Sequence, residues 1–337
     1  MQTIEQGTLR GPLADQAAAL FAWGSQWPLP AAAPVAPAWQ PFLDAIGANT
    51  GGSYQAAGAP AAAPVAGARA DRAVVLFSGG KDGLATALLL REAGISPALL
   101  HVTGINGPAY AHERDAAAAV ARIAGLPLRV VAASLSGKSA HVENPVKNAT
   151  LAALGAQAAA YWGAGVVALG VVGEDTQSAN VHCGLSDNAA VIGAGMRSIE
   201  ALATGLRFAM PQVAHECQSI GVVMRLCPDA MPAVSSCMAG ARFKRSLHER
   251  NRAKFGVDLL PGRCGSCYKC AVEAVTLAAI AGQVLPLPFA AHCVKKMQRG
   301  AQVVTASAAP CSAADAIEIF GDADMPAWRA ALGAAAP

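Results

Sequence analysis

Apolar and polar positions fall into regular blocks from residue 71 onward. Residues 74–77 are an unbroken apolar run, residues 78–83 read Ser-Gly-Gly-Lys-Asp-Gly, and residues 84–91 are leucine- and alanine-rich. That order predicts a short buried strand, a tight glycine turn and the start of a helix. The same pattern predicts strands over 97–102, 128–132 and 166–172, and helices over 109–124, 148–162 and 272–280. The helix over 109–124 is amphipathic, with His112, Glu113, Arg114, Asp115 and Arg122 outward. A further helix begins at His215 and Glu216 and ends near Leu226, and no chemistry is expected of those first two residues. Strands alternating with helices predict an α/β fold, a parallel sheet with helices on both faces and right-handed crossovers. Ligands of such sheets bind beyond the carboxyl ends of the strands.

Residues 1–70 break this rhythm. A short helix fits 14–21, and Trp23, Trp27 and Trp39 place three of the five tryptophans in the first forty residues. Residues 28–37 and 58–67 are rich in Ala, Pro and Gly and read as extended linker. We expect an extension whose tryptophans cover part of the main domain. Residues 301–337 read as a tail of small residues with one acidic turn over 318–324.

Composition narrows the class. With 54% hydrophobic and 14% charged residues, the 337-residue chain is globular. A net charge of +3 gives no broad electrostatic footprint for nucleic acid, which stays a secondary option. No basic stretch followed by an apolar run opens the chain, and no apolar run reaches spanning length, so no membrane partner and a cytoplasmic location are expected.

The carboxyl ends of the predicted strands carry the polar residues. At the first, Gly79 and Gly80 allow close backbone approach to an anion, the N–H groups opening the next helix point at it, and Lys81 adds a point charge. A Walker loop or a dinucleotide fingerprint needs a different glycine spacing. The second strand end carries His101, Thr103 and Asn106. Lys147 and Asn148 stand near the start of the helix over 148–162. The last strand runs into Glu174 and Asp175, and Asp175 is suited to hold Mg²⁺ or orient a ribose.

Three of the nine cysteines stand as Cys264-Gly-Ser-Cys267-Tyr-Lys-Cys270. That spacing puts several thiolates on one metal ion through tight turns. A fourth ligand is needed, and Cys237, Cys293, His292 and His248 compete for the place. Cys217, Cys227, Cys293 and Cys311 otherwise read as packing or loop thiols.

Residues 78–83 resemble the PP-loop, Ser-Gly-Gly-x-Asp-Ser, of ATP pyrophosphatases that split ATP between its α and β phosphates. Within that superfamily four features resemble the 7-cyano-7-deazaguanine synthases of queuosine precursor biosynthesis: the loop, Lys147-Asn148 opening an alanine-rich helix, Leu169 to Asp175, and the cysteine cluster. The similarity covers residues 71–282. It implies a Rossmann-like sheet of the adenine nucleotide alpha hydrolase type over 71–233, a four-cysteine zinc-knuckle region over 234–300, and the cofactors ATP, Mg²⁺ and Zn²⁺. It implies that Ser78, Gly79, Gly80, Lys81, Asp82, Gly83, Lys147 and Asn148 bind the nucleotide. Lys81 and Asp175 would be catalytic, and Cys237, Cys264, Cys267 and Cys270 would hold zinc. The implied reaction adenylates a small-molecule carboxylate, 7-carboxy-7-deazaguanine in that family, and uses ammonia to make an amide and then a nitrile. A homodimer is compatible with it. Three positions depart from the family: Gly83 replaces a serine, and in His182-Cys183-Gly184, which stands where the family has Asp-Cys-Arg, Cys183 alone matches. A PP-loop sulfur transferase with an iron–sulfur cluster, and an ATP-binding interaction module without turnover, are the alternatives these residues leave.

Overall fold

A computed structural model of the chain describes residues 5–26, 28–61, 65, 67–105, 112–137, 142, 144–171, 189–211, 216–235, 241–298 and 317–320. The run after residue 71 becomes strand β4 (Arg69–Leu76) and helix α3 (Lys81–Glu92), preceded by β1 (Glu5–Thr8), α1 (Pro12–Gly24), β2 (Ala32–Ala33), α2 (Gln40–Thr50) and β3 (Gln55–Ala56). There follow β5 (Ser96–Thr103), α4 (His112–Ala124), β6 (Leu128–Ala132), α5 (Asn144–Trp162), β7 (Ala164–Ala168), α6 (Ala189–Leu202) and β8 (Arg207–Pro211). The chain continues through α7 (Glu216–Leu226), a 3₁₀ turn (Pro228–Ala233), α8 (Ala241–Phe255), α9 (Tyr268–Ile280), α10 (Leu287–Gln298) and β9 (Ile317–Phe320).

The main sheet has the order β1-β6-β5-β4-β7-β8-β9. Every neighbouring pair is parallel except β8 with β9, so six strands form a parallel sheet closed on one edge by an antiparallel strand. Successive residues of each central strand enter opposite cores. Val74, Leu100, Val131, Val167 and Phe208 join the core beneath α1, α2, α5 and α6, while Val75, Leu99, Val130, Val166 and Ala209 join the core beneath α3, α4 and α7. Burial on both faces is why these strands read as continuous apolar runs. Alanines of α5 let it approach closely: a Cβ at Gly155 would stand 2.9 Å from Val167 Cγ1.

Residues 5–61 are more than an extended segment. β1 adds an edge strand beside β6, and α1 packs along α5, where Gln157 Oε1 accepts from the Leu13 N–H at 3.1 Å. Leu20, Phe21, Trp23, Trp39, Phe42 and Ile46 are buried in the first core. Their apolar area overrides the Ala/Pro/Gly composition, because burial rather than local propensity decides whether such a segment orders. Trp27 lies outside the described residues. At the other end, residues 317–320 pair with β8 as a strand instead of opening an acidic turn; Ile317 and Ile319 alternate with Glu318, a period-two pattern. Among the described residues no helix is long and apolar enough to cross a membrane.

Candidate functional site

β4 ends at Leu76, and the next four residues turn into α3, which already begins at Lys81. Lys81, Asp82 and Gly83 therefore form the first helical turn instead of closing the loop, and no side chain caps the helix N-terminus. Its first N–H groups have no intrahelical acceptor. Gly79 has φ 86°, and a Cβ there would lie 2.9 Å from the Ala117 backbone nitrogen of α4. The position thus needs glycine for conformation and for space. Gly83 is a glycine for space alone: a Cβ would meet the Phe77 ring at 2.9 Å and the Leu76 carbonyl at 3.1 Å. Gly170, just past β7, packs backbone to backbone on it, since a Cβ there would reach the Gly83 nitrogen at 2.4 Å. A serine side chain has no room between these strands as they stand.

The strand order reverses about β4: the chain moves outward through β5 and β6, then returns to add β7 on the other side. Such a switch point opens a crevice at the carboxyl ends of the strands. A cleft of about 170 Å³ lies there, lined by Ser78, His101, Glu113 and Asn148 among apolar residues. His101 is buried, and its Nδ1 stands 3.0 Å from the Phe77 carbonyl. Burial pulls its pKa down, as does the Arg114 charge, while the carbonyl contact opposes them. Neutral His101 thereby braces the loop. Thr103 donates to the Val131 carbonyl and serves the sheet. Glu113, expected on an outward face, is turned to the cleft mouth because α4 begins beside Gly79.

Lys81 stands elsewhere than a point charge on an anion would. Its side chain is 1% exposed, with Nζ 2.9 Å from Asp82 Oδ2 and 3.0 Å from Glu216 Oε2. Glu216 opens α7 and reaches Lys269 Nζ through its other oxygen at 3.0 Å. Burial alone would lower the Lys81 pKa, but the two carboxylates outweigh it and raise it. Glu216 is the mirror case: burial would raise its pKa, and the two ammonium groups pull it down to about 2. The result is a buried ladder of alternating charge, Asp82-Lys81-Glu216-Lys269. Sequence reading missed Glu216 and Lys269. The one available signal was a carboxylate opening a helix whose Ile220, Val222 and Val223 are apolar.

The cysteines form the second constellation. The sulfurs of Cys264, Cys267 and Cys270 lie within 4.8 Å of one another, and Cys264 and Cys270 are 3.9 Å apart. Tetrahedral thiolates on zinc, with Zn–S about 2.3 Å, stand about 3.8 Å apart, so this donor set fits a metal ion of that kind. Cys264 and Cys270 are buried, and Cys267 immediately precedes the first residue of α9 without a side-chain capping bond. Asn251 donates to the Cys264 carbonyl at 2.6 Å and to Ser266 Oγ at 2.8 Å, fixing the turn from α8. Among the described residues the rival ligands stay out of the cluster. His248 contacts the Arg263 carbonyl, His292 contacts the Gly265 carbonyl, and Cys293 is buried beside Phe289 with its thiol pKa pushed up to about 11.

Ser78 and Asn148 thus meet in the cleft, Gly79, Gly80 and Gly83 shape the loop, and half-buried Lys147 neighbours Asn148 on α5. Asp175 and Cys237 lie outside the described residues, as do Asn106, Glu174, His182, Cys183, Gly184 and His215. A larger cavity, about 430 Å³ and mostly apolar, lies under α9 between Met231 and Phe289 and does not touch the glycine loop. No protein-family model matches the chain, and no curated protein matches its sequence.

Proposed function

We propose that this chain is an ATP-dependent ligase of the PP-loop type. The observation that carries the reading is the Ser78-Gly79-Gly80 turn. It joins a parallel strand at the switch point of the sheet to the uncapped N-terminus of α3, above a cleft lined by Ser78 and Asn148. Backbone N–H groups in that setting suit a polyphosphate. The acceptor is a small-molecule carboxylate, with 7-carboxy-7-deazaguanine the first candidate. A carboxylate oxygen attacks the α-phosphorus of ATP and pyrophosphate leaves. Ammonia then attacks the acyl carbon, AMP leaves, and a proton goes to solvent, giving the amide. In a second adenylation the amide oxygen attacks the α-phosphorus of another ATP and pyrophosphate leaves; the C–O bond then breaks, AMP departs with that oxygen, both amide protons are given up to solvent, and the nitrile remains.

In this reading Ser78 and Asn148 orient the reactants, and catalysis is positioning and charge neutralisation rather than nucleophilic attack by the protein. Lys81 supports the loop from behind it. When bound, Mg²⁺ supplies charge neutralisation at the phosphates, with Asp175 as its protein ligand. Zn²⁺ is held by Cys264, Cys267 and Cys270, with Cys237 as fourth ligand. In support of that fourth ligand, Arg263, the neighbour of Cys264, donates to the Val234 carbonyl, and Cys237 follows three residues later, a stretch of at most about 10 Å. A closed four-thiolate site is structural.

The test is pyrophosphate and AMP release from ATP, with and without 7-carboxy-7-deazaguanine and ammonium. Stimulation by the acid is the expected result, lowered about 10-fold or more in Ser78→Ala if its hydroxyl orients a phosphate. ATP binding with no release under any of these conditions would replace the ligase reading with that of an interaction module. Iron instead of zinc in anaerobically purified protein would move the assignment to a sulfur transferase.

A further inference from the structure

Two chains of polar contacts run from the cysteine cluster to the glycine loop, one ending at Lys81 and Asp82 and the other at the Gly79 carbonyl. The first starts at Lys269, between Cys267 and Cys270, and passes through Glu216 to Lys81 and Asp82 with successive distances of 3.0, 3.0 and 2.9 Å. Lys81 and Asp82 are the first two residues of α3. The second starts at Arg263, immediately before Cys264. Its guanidinium is buried, clasped by Glu273 at 2.6 and 3.1 Å, and donates to the carbonyls of Val234 and Met231. The next residue, Ser235, donates its N–H to the Gly79 carbonyl at 2.8 Å.

These contacts are demanding. Glu216 sits 2% exposed between two ammonium groups, and moving it away from either would leave its buried carboxylate with half of its compensation. Lys269 is the second residue of α9, in a first helical turn flanked by the thiols of Cys267 and Cys270, so a metal ion gathered by those thiols fixes the end of the helix and with it where the ammonium stands. We propose that Glu216 and Lys269 are positioning residues that tie the glycine loop to the metal state of the cysteine cluster. Loop order, and with it nucleotide affinity, then follows metal occupancy, and bound nucleotide in turn tightens metal binding by the same factor. The nucleotide half of this statement rests on the ligase reading above; the loop half does not.

The deciding experiment is hydrogen exchange of the segment 78–83 in zinc-loaded and chelated protein, beside zinc-loaded Lys269→Met. That substitution cuts the tie at its most exposed member, 29% exposed, and keeps the Lys81–Glu216 pair intact. Glu216→Gln is the harsher version, because it leaves the buried Lys81 ammonium with Asp82 as its one carboxylate partner. Chelation is expected to speed loop exchange about 10-fold while amides of β4 and β7 keep their protection. Zinc-loaded Lys269→Met is expected to keep its zinc, exchange its loop nearly as fast as the chelated wild type, and bind ATP about 10-fold more weakly. Loop exchange in zinc-loaded Lys269→Met equal to that of the wild type would overturn the proposal. A wild type whose loop orders with zinc but which binds no ATP would leave the tie standing and sink the nucleotide reading. Equal ATP affinity with and without zinc, together with an unchanged loop, would do the reverse.

Discussion

Before β4, the chain is attached to the sheet by Leu13, Leu20, Phe21, Trp23, Trp39 and Phe42, all buried, with uncharged hydrogen bonds such as Gln157 to the Leu13 N–H. After α7, Met231, Val234 and Val272 also enter a core of the sheet, but the region adds three clustered thiols, the buried ion pair Arg263–Glu273 and the pair of partly exposed Lys269 with buried Glu216. Apolar burial is strong, but it is non-directional and tolerates small shifts. Ion pairs and metal ligands cost desolvation, and they hold only at particular distances and angles. The first region therefore adds stability to the sheet, whereas the second sets the geometry of the loop beside it.

Emptying the cysteine cluster of the metal ion proposed for it is expected to break the comparison most deeply. Structural zinc contributes on the order of 10–16 kcal/mol in small peptides, so Cys264→Ser or chelation is expected to abolish metal retention and the exchange protection of residues 241–298. The N-terminal layer should keep its protection through that change. The opposite perturbation is Trp39→Ala, which removes a fully buried indole and is expected to cost about 3–5 kcal/mol. Urea unfolding should show the full loss, with the metal content and the loop exchange unchanged.

Arg263→Met sharpens the distinction. Leaving Glu273 buried without its partner is expected to cost about 3–5 kcal/mol, whereas Arg263→Met with Glu273→Leu should recover most of it in urea midpoints. Only a geometric role would leave the double variant stable yet with a loosened Ser235–Gly79 contact, visible as faster exchange at Ser235. The smallest effect concerns acid. Glu216 has its folded pKa depressed from 4.5 to about 2. Its contribution is therefore fully present above 4.5 and is lost as pH falls from there through about 2. A comparison of wild type with Glu216→Gln in urea should show their stability difference shrinking across that window, and a difference independent of pH would refute the charged Glu216.

Local pattern made much of the scaffold legible. The runs at 97–102 and 128–132 match β5 and β6 to within one residue at each end, because strands buried on both faces leave unbroken apolar runs, whereas the run at 74–77 catches only the last three residues of β4, whose polar first half begins at Arg69. The run over 166–172 was overlong, since β7 stops at Ala168 where the chain leaves the sheet toward Gly170. Strand β8 was missed: Arg207 to Pro211 is short and ends in proline, which gives little local signal. The edge strand β1 is a polar tetrapeptide defined by pairing with β6. In the site, the three thiols were readable because metal-ligand spacing is itself local.

What the sequence determined by itself, then, is everything whose cause lies within a few residues: the strand runs, the glycine turn, the amphipathic α4 and the Cys264-Cys267-Cys270 cluster. Tertiary structure decided what needed partners distant in the chain. It placed Glu216 between Lys81 and Lys269, 135 and 53 residues away, and set Gly170 against Gly83 so that neither admits a Cβ. It also folded Trp23 and Trp39 into a layer of the same domain. The physical reason is that desolvation, charge pairing and steric closure depend on which surfaces meet, and a one-dimensional pattern records only which surfaces are available.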